Sequence, residues 1–298
     1  MRPTIRPGLQ LLRRDLHTIQ LGLDWPGIGC LVDTPALRAV LASVDGFRDL
    51  AGVVLAAAEQ RDVSRGAAQE SIDLLLDCGV LVDASAVRRP DLEPATLASL
   101  WLLAGPEQGA HDILAARRSC RIHVVGTGRI ADAVRSLLPH ADVAVATDTA
   151  HADLLVVASD HEPDRSHADE ALRSGLPHVW ATVRDVVGVI GPFVVPGSSA
   201  CLRCVDQARA ELDPAWPTLL EALAAKRREP TACDPVLAHL VGAWAAQEAV
   251  LFASRLRPQT WGCVIEIPHG LGAVQTQRFE LHPSCGCGWP VWRDTMGA

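Results

Sequence analysis

The first thirty or so residues alternate polar and apolar positions in the manner of short strands. Residues 18–24 read TIQLGLD and residues 27–33 read GIGCLVD, with the turn signal Trp25-Pro26 between them. Because the first segment alternates cleanly, we expect one of its faces to be solvated. A preceding strand is predicted around residues 9–13. The pattern therefore predicts a small sheet at the start of the chain.

Three helical segments follow this sheet. Residues 34–43 begin with Thr-Pro, an N-cap followed by proline at the first helical position. Helices are also predicted over residues 47–59 and 67–78, and the latter ends at a glycine that suits a C-cap. With a last short strand at residues 80–82, strands and three short helices predict a winged-helix-like module over residues 1–82.

Residues 83–118 separate this module from a different pattern. They include the charged, proline-bearing stretch RRPDLEP at residues 88–94, which predicts a linker, and residues 95–118 have the apolar spacing of helices. Over residues 119–298, apolar strands alternate with helices, which predicts an α/β domain of Rossmann-like type.

The α/β domain opens with a strand, a glycine turn and a helix. Residues 122–125 read IHVV and are followed by GTGRIA, which contains Gly126 and Gly128. In a Rossmann-type site such a turn lets a helix N-terminus face an anion. A second strand is predicted over residues 142–146, and Asp148 follows it, where a ribose-binding carboxylate would lie; the alternative is a solvated loop aspartate.

A third strand, residues 153–159, ends at Asp160. The connection from the second strand is about six residues long, which just spans a sheet when extended. It leaves no room for a crossover helix. Further strands are predicted over residues 178–182 and 193–195, with a helix over residues 165–174.

Two close cysteine pairs are the strongest chemical signal in the chain. Cys201 and Cys204 form a CxxC pair, and Cys285 and Cys287 form a CxC pair. Four thiolates in two chelating pairs make a tetrahedral Zn²⁺ ligand set without an open position, so the predicted zinc is structural. The alternatives are two unrelated thiol pairs, or His282 as a replacement ligand.

Composition and charge narrow the function classes. The nine cysteines are an odd number and do not form a secreted disulfide framework. We find no signal peptide and no apolar run of membrane-span length, and therefore expect a cytoplasmic protein without membrane association. The formal net charge is −8 and the basic residues are dispersed, which argues against nucleic acid as a partner.

In their order along the chain, these motifs resemble the ThiF/E1-like superfamily of adenylating proteins. The resemblance covers about residues 120–290 and rests on the glycine turn, residues 158–160 and 175–179, the run GPFVVPG at 191–197, and both cysteine pairs. With the N-terminal module, the whole chain resembles the E1-like leader-peptide-binding proteins of ribosomally synthesised peptide clusters. In that family the winged-helix-like module recognises a precursor peptide, and the partner is a YcaO-type cyclodehydratase that makes azole or azoline rings.

The chain departs from active members of the superfamily in its charges. Those members carry an Asn-x-x-Arg motif and a lysine after the second strand, which neutralise the triphosphate. Here that crossover is shortened around His151, and no arginine or lysine occurs between Arg135 and Arg165. Asp160 does match the superfamily's metal-binding or adenylation aspartate. We therefore predict no ATP cofactor and a vestigial nucleotide site made of Gly126, Gly128, Asp148 and Asp160.

E1-like enzymes place a catalytic cysteine between the two cysteine pairs, and Cys233 is the candidate here. A thioester-forming nucleophile needs a lowered pKa, which the neighbouring Asp234 opposes. We favour a helix-capping loop and predict no catalytic residue.

The peptide-binding prediction has a physical basis in the N-terminal sheet. An edge strand exposes unpaired N–H and C=O groups, so an extended peptide adds to it as a further strand. The resemblance implies a groove between the third strand and the third helix. Its predicted lining is Ile28, Cys30, Leu31, Val32, Gln69, Ile72 and Asp73. The alternative is an edge covered by the C-terminal domain.

These expectations give one leading hypothesis and two competitors. The leading one is a catalytically degenerate protein that binds a leader peptide and presents it to a YcaO-type cyclodehydratase. The first competitor is a working adenylating enzyme with its ATP site at residues 126–131. The second is a winged-helix DNA-binding regulator, which Asp73 and Asp77 on the third helix oppose. Superfamily members are often homodimers, so a second copy is a further candidate partner.

Overall fold

The chain folds as two compact units, residues 1–113 and residues 114–298. The computed structural model describes residues 1–23, 29–104, 109–225, 232–268, 270 and 272–288. We call the two units the N-terminal unit and the C-terminal unit. Their division falls within a helix, inside the stretch 83–118 that the sequence assigned to a linker and helices.

The N-terminal unit contains two small antiparallel sheets. Its strands are β1 (Pro3–Ile5), β2 (Leu11–Arg13), β3 (Thr18–Leu21), β4 (Gly29–Val32) and β5 (Leu81–Asp83). β1 pairs with β5, and the other three form a sheet in the order β2-β3-β4. The strand β4 corresponds to the third predicted strand, at residues 27–33. Among the described residues it has a neighbour on one side alone, as the peptide-binding prediction requires.

Three helices pack on one another beside these strands: α1 (Pro35–Ser43), α2 (Leu50–Ala58) and α3 (Arg65–Asp77). Each begins at a side-chain cap, because Thr34, Asp49 and Ser64 accept a hydrogen bond from a backbone N–H three residues on. Val40, Val53 and Ile72 on their inner faces are fully buried. The unit therefore has its own hydrophobic core.

The stretch that the sequence assigned to a linker contains further helices: α4 (Ala84–Val87), α5 (Pro94–Leu103) and α6 (Ala110–Ser119). Arg6 donates hydrogen bonds to the backbone carbonyls of Trp101 and Ala104 at the end of α5. Leu100 is buried at 1% exposure. These contacts attach α5 to the N-terminal unit.

The C-terminal unit is built on a seven-stranded mixed sheet. Its strands are β6 (Arg121–Val125), β7 (Ala144–Ala146), β8 (Leu154–Ser159), β9 (His178–Arg184), β10 (Val187–Val194), β11 (Cys263–Pro268) and β12 (Gln275–Arg278). They lie in the order β12-β11-β10-β9-β8-β6-β7. β6 to β9 pair in parallel and the others antiparallel. The predicted α/β class is confirmed.

The remaining helices are α7 (Arg129–His140), α8 (Ser166–Ser174), α9 (Leu202–Leu212), α10 (Trp216–Ala225) and α11 (Pro235–Ala253). The connection from β7 to β8 crosses β6 with a single 3-10 turn, Thr149–His151. A crossover helix is therefore missing at the place where the sequence leaves no room for one.

Helix α11 corrects the expectation that the chain has no apolar run of membrane-span length. Its 19 residues are long and apolar enough to cross a membrane by length and composition, and 56% of that window is buried inside the protein. It packs against α7, β9 and β10, and it carries the fully buried Glu248. This apolar run is the core helix of the C-terminal unit.

Candidate functional site

The four paired cysteines come together in the C-terminal unit. Cys201 is the N-cap of α9 and Cys204 lies in its first turn, while Cys285 and Cys287 lie in the turns after β12. The sulfur of Cys201 lies 3.8 Å from that of Cys204 and 3.5 Å from that of Cys285, and the sulfurs of Cys204 and Cys287 are 3.3 Å apart. All four ligand atoms lie within 4.8 Å of one another. Thiolates about 2.3 Å from a tetrahedral Zn²⁺ lie about 3.8 Å apart, so this cluster could hold a metal ion.

The surroundings of the cluster also suit a metal site. The backbone N–H of His282 donates to the sulfur of Cys204 at 3.3 Å. The imidazole of His282 contacts the carboxylate of Glu211 through Nε2 at 3.0 Å and accepts the N–H of Ser284 at Nδ1. Both ring nitrogens are thus engaged outside the cysteine cluster, which leaves the four sulfurs as its donor set.

The thiols of the cluster perturb one another. A hydrogen bond from the Cys201 thiol lowers the pKa of Cys204 to about 4. Burial raises the pKa of Cys287 to about 12. Four packed thiols cannot all ionise without a cation between them, and metal binding would remove their remaining protons.

The glycine turn between β6 and α7 has an internal structural reason. At Gly126, a Cβ atom would lie 1.9 Å from the carbonyl oxygen of Ala158 on the adjacent strand β8. At Gly128, a Cβ would lie 2.5 Å from the carboxyl carbon of Asp160. Both glycines also have positive φ, 107° and 100°. The motif is therefore explained by close packing within the protein, with or without a nucleotide.

The carboxylate of Asp160, which follows β8, contacts the N-terminus of α7. Its Oδ1 accepts the backbone N–H of Ile130 at 3.0 Å, and its Oδ2 lies 3.8 Å from the guanidinium of Arg129. Unpaired N–H groups and the helix dipole make such a terminus an anion site. Here one of these N–H groups is already bound by a carboxylate of the protein itself.

The arginines near this turn are engaged by protein groups. Arg135 donates to the carbonyl oxygen of Val124 at 3.0 Å and to that of Gly126 at 2.8 Å. Arg165 pairs with Glu162 at 2.9 Å and also with Asp206. Arg135 and Arg165, like Arg129, therefore already bind oxygen atoms of the protein itself.

Asp148 has a capping role in the described structure. It is exposed and accepts the backbone N–H of His151 at 3.1 Å, at the start of the 3-10 turn. Its hydrogen bond with the His151 side chain lowers the pKa of the Asp148 carboxyl. This geometry corresponds to the loop aspartate that the sequence left as an alternative.

Cys233 lies near Asp160 and Arg129. Burial, followed by the charge of Asp160, raises the pKa of the Cys233 thiol, which opposes nucleophile formation. Asp234 accepts the backbone N–H of Val236 at 2.8 Å and caps α11. The segment therefore provides a helix cap.

The predicted peptide-binding residues divide by exposure. On β4, Cys30 and Val32 are exposed, whereas Leu31 is buried in the N-terminal core. Ile28 lies outside the described residues. Side chains alternate along a strand, so Leu31 supports the sheet from within while its neighbours face outwards.

Helix α3 shows the same division. Gln69 and Asp73 are exposed and joined by a 2.8 Å hydrogen bond, while Ile72 is fully buried. The sequence missed Leu74, an apolar side chain with 44% exposure on this helix. Leu74 lies two residues after the buried Ile72 and therefore on a different face of the helix, and this spacing would have predicted its exposure.

No protein-family model matches the sequence, and no curated protein matches it. Solved structures do match. The heterocyclase TruD superposes with a TM-score of 0.70 at 18% identity, over 96% of this chain and 43% of that chain. E. coli MccB superposes with a TM-score of 0.68 at 12% identity, over 97% of each chain. MccB with bound ATP gives the same TM-score and identity over 97% of this chain and 100% of that one.

These likenesses establish the fold. This chain spans less than half the length of TruD and nearly all of MccB. Because at least 96% of this chain is covered in each comparison, the shared fold includes both the N-terminal and the C-terminal unit.

Proposed function

We propose that this protein binds the leader region of a ribosomally synthesised precursor peptide and presents it to a YcaO-type cyclodehydratase. In this proposal the ring-forming and ATP-dependent chemistry belongs to the partner. The fold shared with a heterocyclase and with MccB supports a role in peptide modification. The reducing cytoplasm is the compartment that suits a cluster of free thiols.

The observation that carries the non-catalytic part is that the arginines near the glycine turn already bind groups of the protein itself. The carboxylate of Asp160 accepts the N–H of Ile130, so a nucleotide phosphate at the start of α7 would lie beside a like charge. Arg129 and Arg165 pair with carboxylates, and Arg135 donates to the carbonyl oxygens of Val124 and Gly126. Phosphoryl and nucleotidyl transfer depend on positive charge at this point.

The peptide-binding part rests on the edge strand β4. Its open side presents backbone groups to an extended chain, and Val32 presents an apolar side chain with 69% exposure. Gln69, Asp73 and Leu74 on α3 add polar and apolar contacts. We infer that residues 1–82 form a winged-helix-like recognition module with these side chains as its contact surface.

We further propose that the cysteine cluster binds a structural zinc ion. The ligands would be Cys201, Cys204, Cys285 and Cys287, and the metal would join the start of α9 to the turns after β12. A zinc ion with four thiolate ligands stabilises a fold and leaves no position for substrate.

An adenylating enzyme is the competing function, and one observation favours it. MccB, which matches this chain over 97% of each chain, has been solved with ATP. The two functions differ in their ligands, so binding experiments on the intact protein separate them.

The test measures fluorescence anisotropy with labelled leader peptides encoded beside the protein's own gene, and calorimetry with Mg-ATP in parallel. We expect micromolar or tighter peptide binding and no heat from ATP. Heat and turnover of ATP without peptide binding would contradict the proposal and support the adenylating enzyme.

A further inference from the structure

A cavity of about 800 Å³ lies in the C-terminal unit, away from the glycine turn. Cys120 and Asp153 on its wall directly precede β6 and β8, whereas Gly126 and Asp160 directly follow the same strands. Since β6 and β8 are parallel, the cavity and the glycine turn lie at opposite edges of the sheet. The cavity is therefore a separate feature from the nucleotide site predicted at the glycine turn.

One wall of the cavity is aromatic. The rings of Phe252 and Trp261 line it, together with Leu256. Phe193 stacks on Trp261 with ring centres 6.3 Å apart, and it packs on Phe252 at 5.6 Å. Because Phe193 is fully buried, both lining rings are held in place from within the core.

Two exposed arginines, Arg255 and Arg257, line the same cavity. The guanidinium of Arg257 lies 5.2 Å over the ring of Trp261. Neither arginine has a carboxylate partner within ion-pair distance among the described residues. This distinguishes them from Arg129 and Arg165, which pair internally.

Arg255 is held in a conformation that favours glycine. Its φ is 59°, and it ends α11: its N–H donates to the carbonyl of Phe252, and the N–H of Leu256 donates to that of Leu251, both at 2.9 Å. This is the Schellman arrangement, in which glycine is the usual residue because other residues are disfavoured by about 1 kcal/mol. An arginine at this strained position, with its side chain on a cavity, indicates a function for that side chain.

The cavity carries a net positive charge. Asp153 is its carboxylate, and it already accepts the backbone N–H of Arg121 at 2.8 Å. Burial raises the pKa of the Cys120 thiol to about 11, so this group is neutral near pH 7. Two guanidinium groups therefore face a single, engaged carboxylate, although the whole chain has a net charge of −8.

We propose that this cavity binds an organic carboxylate attached to a large apolar group. The guanidinium groups of Arg255 and Arg257 bind the carboxylate, and the rings of Trp261 and Phe252 contact the apolar group. A free aromatic acid and an acidic peptide residue next to an aromatic one share this chemistry.

Calorimetry on the intact chain tests the site with two matched ligand pairs. The first pair is N-acetylphenylalanine and its carboxamide. The second is the capped peptide acetyl-Gly-Phe-Glu-Gly-amide and its glutamine analogue. We expect the carboxylate member of at least one pair to bind about tenfold more tightly than its neutral analogue. The pair that responds identifies the source as a small acid or a peptide. Equal affinities within both pairs, or no binding at all, would overturn the proposal.

Variants separate a binding role from a structural one. Arg255→Gly removes the guanidinium and relieves the backbone strain, so we expect about five- to tenfold weaker carboxylate binding with an unchanged or higher melting temperature. Arg257→Gln is expected to weaken binding similarly. Arg278→Gln, at an exposed position on β12, is the control and should bind as the parent does. Unchanged affinity in Arg255→Gly would refute the assignment.

Discussion

The carboxylate of Asp160 accepts the backbone N–H of Ile130 at 3.0 Å, across 30 residues of sequence. The contact arises because β6 and β8 are neighbours in the sheet, so the residues that follow them meet at one edge. A negative charge at the N-terminus of α7, which the helix dipole favours, is thus supplied by the chain itself.

Replacing Asp160 with alanine should destabilise the protein. The variant loses the cap of α7 and its favourable charge, and we expect the free energy of unfolding to fall by about 1–2 kcal/mol in urea denaturation. Asp132→Ala is the matched control, because Asp132 lies in the first turn of the same helix with a 74% exposed side chain. Equal losses in the two variants would show that Asp160 is not the cap.

Replacing Cys201 with serine should remove bound metal. We expect about one zinc per chain in the parent protein and a small fraction of that in the variant, measured by elemental analysis. The free energy of unfolding should fall by at least about 3 kcal/mol, because metal binding contributes to folding. Cys233→Ser, outside the cluster, should retain both zinc and stability. Zinc retained by the Cys201 variant would argue against a four-cysteine site.

Replacing Val32 with arginine should weaken leader-peptide binding. The exposed valine on β4 offers apolar contact to an added strand, and a charged side chain would oppose its burial. We expect at least about a tenfold loss in affinity by anisotropy. Val236→Arg is the control, since Val236 is 76% exposed on α11 of the other unit. Unaltered affinity in the Val32 variant would place the peptide elsewhere.

His178 should make the protein less stable in acid. Burial lowers the pKa of this imidazole, which is 1% exposed and donates one hydrogen bond from Nδ1 to the carbonyl oxygen of Leu176. As pH falls below about 6.5, the unfolded chain gains a proton that folded His178 resists, so stability declines.

The measurement for His178 is urea denaturation at pH 7.5 and pH 5.5. We expect the parent to lose up to about 1.4 kcal/mol more than His178→Gln between these pH values. His140→Gln, at an exposed position at the end of α7, should keep the parent's pH dependence. The prediction fails if both variants respond alike.

The elements with strong local signals were predictable from the sequence. The cap at Thr34, the glycine turn and the strands β8 and β9 follow from short-range patterns. The strand β12 was missed because its sequence, QTQR, is wholly exposed and has no apolar alternation. β11 was also missed, and the predicted strand 193–195 proved to be the end of the longer β10.

The candidate sites were predictable only where the sequence spacing of the residues itself indicates their chemistry. The close spacing within each cysteine pair predicts a metal site, although Cys201 and Cys285 are 84 residues apart in sequence. The outward or inward direction of Leu31 and Ile72 depends on which face each element turns to the core. The contact between Asp160 and α7 arises because β6 and β8 are neighbours in the sheet. The left-handed conformation of Arg255 arises from the way α11 ends. No local sequence pattern specifies either feature.

The order in which the cysteines are synthesised has a consequence for production of the protein. Cys285 leaves the ribosome 84 residues after Cys201, which at roughly 5–20 residues per second takes roughly 4–17 s. During that interval the first pair is a dithiol without its partners, open to oxidation or to a competing soft metal. With the proposed zinc site, yield should therefore depend on zinc supply and thiol protection during translation, more than on conditions applied to the finished protein.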